Sequence, residues 1–245
     1  MEVITSTDNK TVKRIIKLKQ KKYRDEYGEF FVEGYKNVLD TCAATKLARC
    51  VVLSQTAYKT YGTSFSDCSA IVLSDAVFDK ITETENSQGV LCVCSVLPDE
   101  RPKGDMVVLL DRVRDPGNVG TILRTAAAFG YDVALNNCCD LYSPKVVRSA
   151  MSAIVKCRIC RDIPPEELKK RGYELIVADM DGESITTAVC GARFCVVIGN
   201  EAGGVSDEIS AIADKKISVP QKNIESLNAA VAAGIMMFEL SNRNH

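Results

Sequence analysis

Short apolar runs bounded by polar turns alternate along this chain with stretches of helical period, the pattern of buried strands joined by packed helices. In the second half, residues 107–110, 132–135, 174–178, 194–198 and 216–219 predict strands. Helices are predicted between them. Ser143-Pro144 supplies an N-cap followed by a first-turn proline. Residues 165–172 place acids first, bases last and a glycine at the stop. Ser206-Asp207-Glu208 opens another helix, and a long apolar one is predicted from Ser226 to about Leu240. Strand–helix alternation of this kind argues for an α/β fold with a mostly parallel sheet and helices on both faces.

The first half alternates less evenly. A helix is predicted over residues 9–20, with Val12, Ile15 and Ile16 on one face and Lys10, Lys13, Arg14 and Lys17 on the other. Lys21, Lys22 and Arg24 prolong this basic edge. Strands follow at 29–34, 50–53, 70–73 and 90–96, with helices at 35–44 and 75–82. The stretch 98–105 is polar, with two prolines and a glycine, and reads as a linker. It divides a small α/β domain, 1–97, from a larger one, 106–245.

Composition changes this picture little. The 245 residues suffice for two cores, and 46% apolar with 26% charged residues is ordinary for a globular protein. A net charge of -1 carries no overall nucleic-acid signature, so any basic surface is local. No signal-peptide layout and no membrane-length apolar run is visible, and we expect a cytoplasmic protein with no membrane partner. The 11 cysteines are scattered through strand-like runs and read as small buried hydrophobes with reduced thiols. Cys157-Arg-Ile-Cys160 has metal or redox spacing, but no second pair stands near it and the one histidine is His245, so no metal is expected.

Candidate chemistry lies in three loops, each after a predicted strand, where open α/β sheets bind ligands. Asp115-Pro-Gly-Asn-Val-Gly120 runs into a helix carrying Arg124. Gly199-Asn-Glu-Ala-Gly-Gly204 has P-loop glycine spacing, but Val205 stands where the phosphate-binding lysine should be. The third loop runs from Val219-Pro to Ser226-Leu-Asn228. No dinucleotide fingerprint and no internal histidine for a Ser-His-Asp triad is present. Glycine, asparagine, serine and one acid suit a polar small molecule held by backbone groups. Each residue also has a plainer reading: the glycines as turns, Asn118 as a helix cap, Arg124 as a buried arginine paired with Glu201.

Asn118-Val-Gly-Thr-Ile-Leu-Arg124, Ile198-Gly-Asn-Glu-Ala-Gly-Gly204 and the Val219-Pro to Asn228 segment together resemble the three motifs of the SpoU family of the SPOUT methyltransferase superfamily. Residues 143–153 look like the family's segment between the first two motifs. Lys21, Lys22, Arg24 and Phe31-Val-Glu-Gly34 are similar to the family's substrate-binding domain, whose fold resembles RNA-binding ribosomal proteins. The resemblance implies methyl transfer from S-adenosylmethionine to a ribose 2′-hydroxyl of RNA, with large-subunit (23S) rRNA favoured. A tRNA methyltransferase and a silent RNA-binding or ribosome-assembly protein are the alternatives. It also implies a deep trefoil knot, which ordinary topology rules forbid, and a homodimer with the site near its interface. By the same resemblance Asn118, Arg124, Glu201, Ser226 and Asn228 are the catalytic positions. Ala178, Asp179, Ile198, Gly199, Val219 and Leu227 would hold the cofactor. Lys10, Lys13, Arg14, Lys17, Lys21, Lys22 and Arg24 would meet RNA phosphates.

Overall fold

The computed structural model describes residues 1–44, 46–224 and 226–242; Glu225 and the sole histidine, His245, lie outside them. The chain forms two compact units, Met1–Pro98 with Tyr142–Val155 and Asp99–Leu141 with Lys156–His245.

The first unit opens with β1 (Val3–Ile4), α1 (Lys10–Lys17), α2 (Lys21–Tyr27), β2 (Glu29–Glu33) and α3 (Tyr35–Ala44). It continues with β3 (Ala48–Ser54), α4 (Gln55–Tyr61), β4 (Ala70–Leu73), α5 (Asp75–Ile81) and β5 (Val90–Ser95). Its five strands lie in the order β1-β4-β3-β5-β2. β5 runs antiparallel to both β3 and β2, so this sheet is mixed. Asn9 caps α1 through the Thr11 amide at 2.9 Å, a contact typically worth about 1 kcal/mol. The periodicity then sets which face is buried: Val12, Ile15 and Leu18 pack with Phe31, Val52, Leu73 and Leu91 of the sheet and Phe78 of α5. The sequence pattern misses α2, whose residues Lys-Lys-Tyr-Arg-Asp-Glu-Tyr carry no apolar period.

The second unit contains β6 (Met106–Asp111), α6 (Pro116–Phe129) and β7 (Asp132–Asn136). Between β7 and β8 (Ile159–Arg161) the chain forms α7 (Pro144–Ala150), which belongs to the first unit. The second unit then runs through α8 (Pro165–Lys170), β9 (Glu174–Ser184), β10 (Phe194–Ile198), α9 (Asp207–Ile212), β11 (Lys215–Ser218) and α10 (Ala229–Asn242). Its six strands, ordered β11-β9-β10-β6-β7-β8, are all parallel. Leu109, Val177 and Val197 fill the sheet face against Leu168 of α8 and Ile209 of α9. Parallel strands covered on both faces explain why their sequences read as continuous apolar runs.

Residues 98–105 have no regular structure, yet 99–105 are fastened to the second unit rather than free. Asp132 accepts the amides of Lys103 and Gly104, each at 2.8 Å, and Asp99 accepts the Arg161 amide at 2.8 Å. The sequence pattern groups 142–155 with the second domain, whereas these residues are built into the first unit. The Leu97 amide donates to the Tyr142 hydroxyl at 2.9 Å, Tyr142 packs on Phe30 with centroids 4.8 Å apart, and Ser152 donates to Asp40 at 2.9 Å. Helical spacing defines a face to bury; it does not say which sheet receives it.

Candidate active site

The site begins where β6 ends. Asp111 is wholly buried and accepts from the Asn136 side chain at 2.9 Å and from the Ser206 amide at 2.8 Å. The chain leaves the strand through Arg112, whose φ of 56° is uncommon for a side-chain-bearing residue. Asp115 then caps α6 by accepting the Asn118 amide at 2.8 Å, and Pro116 fills the first turn. The cap is therefore Asp115, and Asn118 is not the capping residue. Gly117 and Gly120 lie within α6 and do not form the turn.

Freed from capping, the buried Asn118 side chain joins two other candidates. Its Nδ2 donates to Glu201 at 2.8 Å, and its Oδ1 accepts from Asn228 Nδ2 at 2.9 Å. Asn228 Oδ1 accepts the Ala230 amide at 2.9 Å, so this asparagine caps α10 while holding Asn118. Hence α10 starts at Ala229, later than the apolar pattern predicts, and Ser226–Asn228 remain irregular. Partial burial opposes the charge of Glu201. The Asn118 side chain and the amides of Glu201, Asp115 and Arg114 outweigh it and hold the carboxyl below the usual range. Glu201 is thus an ionised acceptor at neutral pH.

The glycine loop after β10 is closed on itself. Asn200 and Gly204 exchange two backbone hydrogen bonds of 2.9 Å. A Cβ on Gly199 would fall 2.0 Å from the Gly204 carbonyl carbon, so only glycine permits this approach. Asn200, which the sequence reading did not single out, accepts the Ala202 amide at 3.0 Å and donates to the Arg112 carbonyl at 2.9 Å. It ties the second loop to the first. The signal for it was weak: an asparagine inside a turn, able to bond its own backbone two residues on.

A bulge in β9 builds another wall. β11 pairs with Ile176 and Val177 of β9, then shifts register so that Ile217 faces Glu183. Residues 178–182 are thereby pushed out of the ladder. Gly182 is pressed against the Lys216–Ile217 backbone, where a Cβ would lie 2.5 Å from the Lys216 carbonyl carbon. Asp179, on the bulge, pairs with Lys216 at 2.8 Å, and this contact holds its carboxyl below the usual range.

The bulge, the glycine loop and the 217–229 segment line a cavity of about 690 Å³, and the 115–120 loop does not reach it. Ala178, Asp179, Ile198, Gly199, Val219 and Leu227, the six expected cofactor contacts, all line it. Glu201, Ser226 and Asn228 line it as well. Met180 and Gln221 do too, and neither was marked from the sequence.

Arg124 departs from expectation. Six residues beyond Asn118, it projects from a different face of α6. It is exposed, does not line the cavity and has no ion pair with Glu201 or any other partner among the described residues. The buried-arginine reading is therefore wrong.

The basic edge of the first unit is mixed. Lys10, Lys13, Arg14, Lys17, Lys21 and Lys22 are exposed. Lys13 pairs with Asp8 at 2.7 Å, Arg14 with Glu29 at 2.9 Å, and Lys21 with Asp25. Lys17 and Lys22 lie over the Tyr23 ring, 4.9 and 5.6 Å from its centre. Arg24 is the correction here. It is 4% exposed and donates to the carbonyls of Leu18 at 2.7 Å and Lys19 at 2.9 Å, closing the end of α1. Buried in that role, it presents no charge to RNA.

Cys157 and Cys160 are both buried. Burial pushes the Cys157 thiol up to about 12 and also raises Cys160, against the opposing pull of Arg101. Among the described residues no group of three or more His, Cys, Asp or Glu could hold a metal ion, and no helix is long and apolar enough to cross a membrane.

The architecture recurs in known proteins. Residues 105–238 match the SpoU rRNA Methylase family, and residues 9–92 match an MRM3-like substrate binding domain. The chain is 31% identical to the Bacillus subtilis 23S rRNA (guanosine(2553)-2′-O)-methyltransferase RlmP, over 98% of this chain and 99% of that protein. A 23S rRNA (adenosine(1067)-2′-O)-methyltransferase of Streptomyces laurentii is 30% identical over 71% of this chain and 69% of its own length. An AdoMet-bound rRNA methyltransferase from Sinorhizobium meliloti superposes with a TM-score of 0.86 at 28% identity, covering 99% of this chain and 98% of that one. With the β9 bulge and the loops after β10 and β11 converging on one cavity, and a family match across most of that unit, the chain belongs to the SpoU rRNA methylase family.

Proposed function

We propose that this protein transfers a methyl group from S-adenosylmethionine to a ribose 2′-hydroxyl of large-subunit rRNA. The observation that carries the reading is the convergence of Glu201, Ser226 and Asn228 with the six expected cofactor contacts around one cavity. Its relatives that modify 23S rRNA, and the AdoMet-bound neighbour in structure, support the reaction and the cofactor.

The residues present fit such a ligand. Ile198, Leu227 and Met236 offer apolar surface for a flat base, while Asp179 and Glu201 offer negative charge for a cationic ligand. The buried Gln221 Oε1 has no hydrogen-bond partner among the described residues. When bound, the cofactor supplies an electrophilic methyl group on a sulfonium. In-line displacement then depends on positioning, and the chain's part is to hold the acceptor oxygen in place. Glu201 orients Asn118, Asn118 orients Asn228, and Asn228 fixes the turn that carries Ser226 beside the cavity. A guanidinium stays protonated, so Arg124 acts as a charge that stabilises the developing alkoxide and orients the adjacent phosphate, not as a base.

The first unit binds the RNA, with Lys10, Lys17 and Lys22 as its available cations. The protein works in the cytoplasm as a homodimer. Val231 and Phe238, about half exposed on α10, support a contact there. Phe238 packs on Phe129 of α6, with centroids 5.7 Å apart, so the contact includes α6, the helix that carries Arg124. The C-terminal segment threads the family's trefoil knot; in support, residues 217–219 line the same cavity as 178–180 and 198–205.

The test joins calorimetry with S-adenosylmethionine to mapping of 2′-O-methyl groups in rRNA from cells with and without the protein. Binding, and one large-subunit position that loses its methyl group with the gene, are expected. Failure of the purified protein to bind S-adenosylmethionine would overturn the proposal.

A further inference from the structure

The cavity wall holds one polar atom that nothing among the described residues satisfies. Gln221 lies just beyond β11, in the third loop, and lines the cavity. Its Oε1 is buried and accepts no hydrogen bond among the described residues. A buried amide oxygen without a donor is destabilising until a donor reaches it, so such an atom in a cavity wall marks where a ligand donates.

We infer that Gln221 accepts a hydrogen bond from the exocyclic amine of the cofactor's adenine, and so selects an adenosyl ligand over other nucleosyl ones. The inference rests on the S-adenosylmethionine reading above and names a residue that specifies it. That ligand carries three kinds of strong donor: an ammonium, two ribose hydroxyls and the exocyclic amine. An ammonium is matched best by a carboxylate, and Asp179 and Glu201 are both held in the charged form at this cavity. Hydroxyls donate and accept together, and Ser226 and the loop backbone answer both needs. The exocyclic amine is neutral and lies in the plane of an apolar ring. It calls for a neutral acceptor set in an apolar wall. Gln221 lines the cavity together with Val219, Leu227 and Met236, and its oxygen is the neutral side-chain acceptor left without a donor among the described residues.

The test measures binding, not turnover. S-Adenosyl-L-homocysteine is titrated calorimetrically against S-inosyl-L-homocysteine, in which a carbonyl oxygen replaces the amine. On wild type the inosyl ligand should bind about tenfold more weakly, because the buried amide oxygen then faces a carbonyl oxygen and pairing requires the glutamine amide to turn over within the cavity wall. Gln221→Met keeps the side-chain length and removes the acceptor. It should weaken the adenosyl ligand by about tenfold and shrink the gap between the two ligands to about twofold. The melting temperature of the ligand-free Gln221→Met protein should hold or rise, since the unsatisfied oxygen is gone; a glutamine with a merely structural role would lower it.

Equal binding of the two ligands to wild type would overturn the assignment, as would a gap that survives in Gln221→Met. Ligands lacking the 2′-hydroxyl or the amino group provide further arms. If Gln221→Met erases the penalty for one of those instead, the glutamine serves the ribose or the amino-acid end and the assignment falls. If no adenosyl ligand binds wild type, the cofactor reading fails and takes this inference with it. Equal adenosyl and inosyl binding fells the inference alone.

Discussion

Two arginines, one in each unit, look alike in the sequence and differ in the structure. Arg24 stands in a run of exposed cations, while Arg124 stands on an apolar helix. Their settings predict an exposed Arg24 and a buried Arg124. The structure reverses both. Arg24 is buried and closes the end of α1 through two carbonyls, whereas Arg124 is exposed and unpaired among the described residues. The composition around a charge therefore says little about its use. What decides is whether the backbone nearby has unsatisfied groups to claim it. The last turn of α1 leaves free carbonyls within reach of Arg24. No described residue around Arg124 makes such a claim, so its charge is available to a substrate.

The largest effect separating the two should come at Arg124. Arg124→Ala is expected to lower the rate of methyl transfer by about 10²–10³-fold, the scale of losing one transition-state donor. Affinity for S-adenosylmethionine should be unchanged, because the residue lies off the cavity. Arg124→Lys keeps the charge but not the planar fork, so it should recover only part of the rate. Single-turnover kinetics beside calorimetry provide both readouts. Wild-type rates in both variants would mean that the exposed arginine is not part of the chemistry.

Arg24→Ala should do the opposite, sparing chemistry and costing stability. Losing two hydrogen bonds from a buried guanidinium should lower the unfolding free energy by about 2–3 kcal/mol. Urea denaturation measures this. For the folded protein, the salt dependence of RNA binding should stay as in wild type. A flatter salt slope would place Arg24 among the phosphate contacts after all.

The contrast extends to what could be read before the structure. The parallel sheet was legible because its strands are buried on both faces and appear as apolar runs, as in Phe194–Ile198. The three loops were legible because strand ends, glycines and asparagines mark them. Less could be read where one residue has two physical uses. Asn118 reads as a cap, but Asp115 takes that role and leaves Asn118 to Glu201 and Asn228. The bulge in β9 had no pattern of its own, since it arises from the register of a strand more than thirty residues away. Gln221 carried no signal at all. An unsatisfied oxygen belongs to its surroundings, not to a spacing.

The smallest expected effect concerns the other cations of the first unit, where pairing again decides. Lys17 and Lys22 lie over Tyr23 with no acidic partner among the described residues, while Lys13 and Lys21 pair with Asp8 and Asp25. Each phosphate contact contributes nearly one unit to the slope of log affinity against log salt. Lys17→Ala with Lys22→Ala should therefore flatten that slope by about 1–2 units and weaken RNA binding several-fold at moderate salt. Lys13→Ala with Lys21→Ala removes the same formal charge but should flatten it less. Exposed ion pairs are weak and can open towards a phosphate, so this second effect is reduced rather than abolished. Binding measured over a salt series distinguishes the two doubles. Equal slopes would mean that pairing within the free protein does not govern which cations the RNA uses. The lesson of Arg24 would then apply only to charges that burial has already committed.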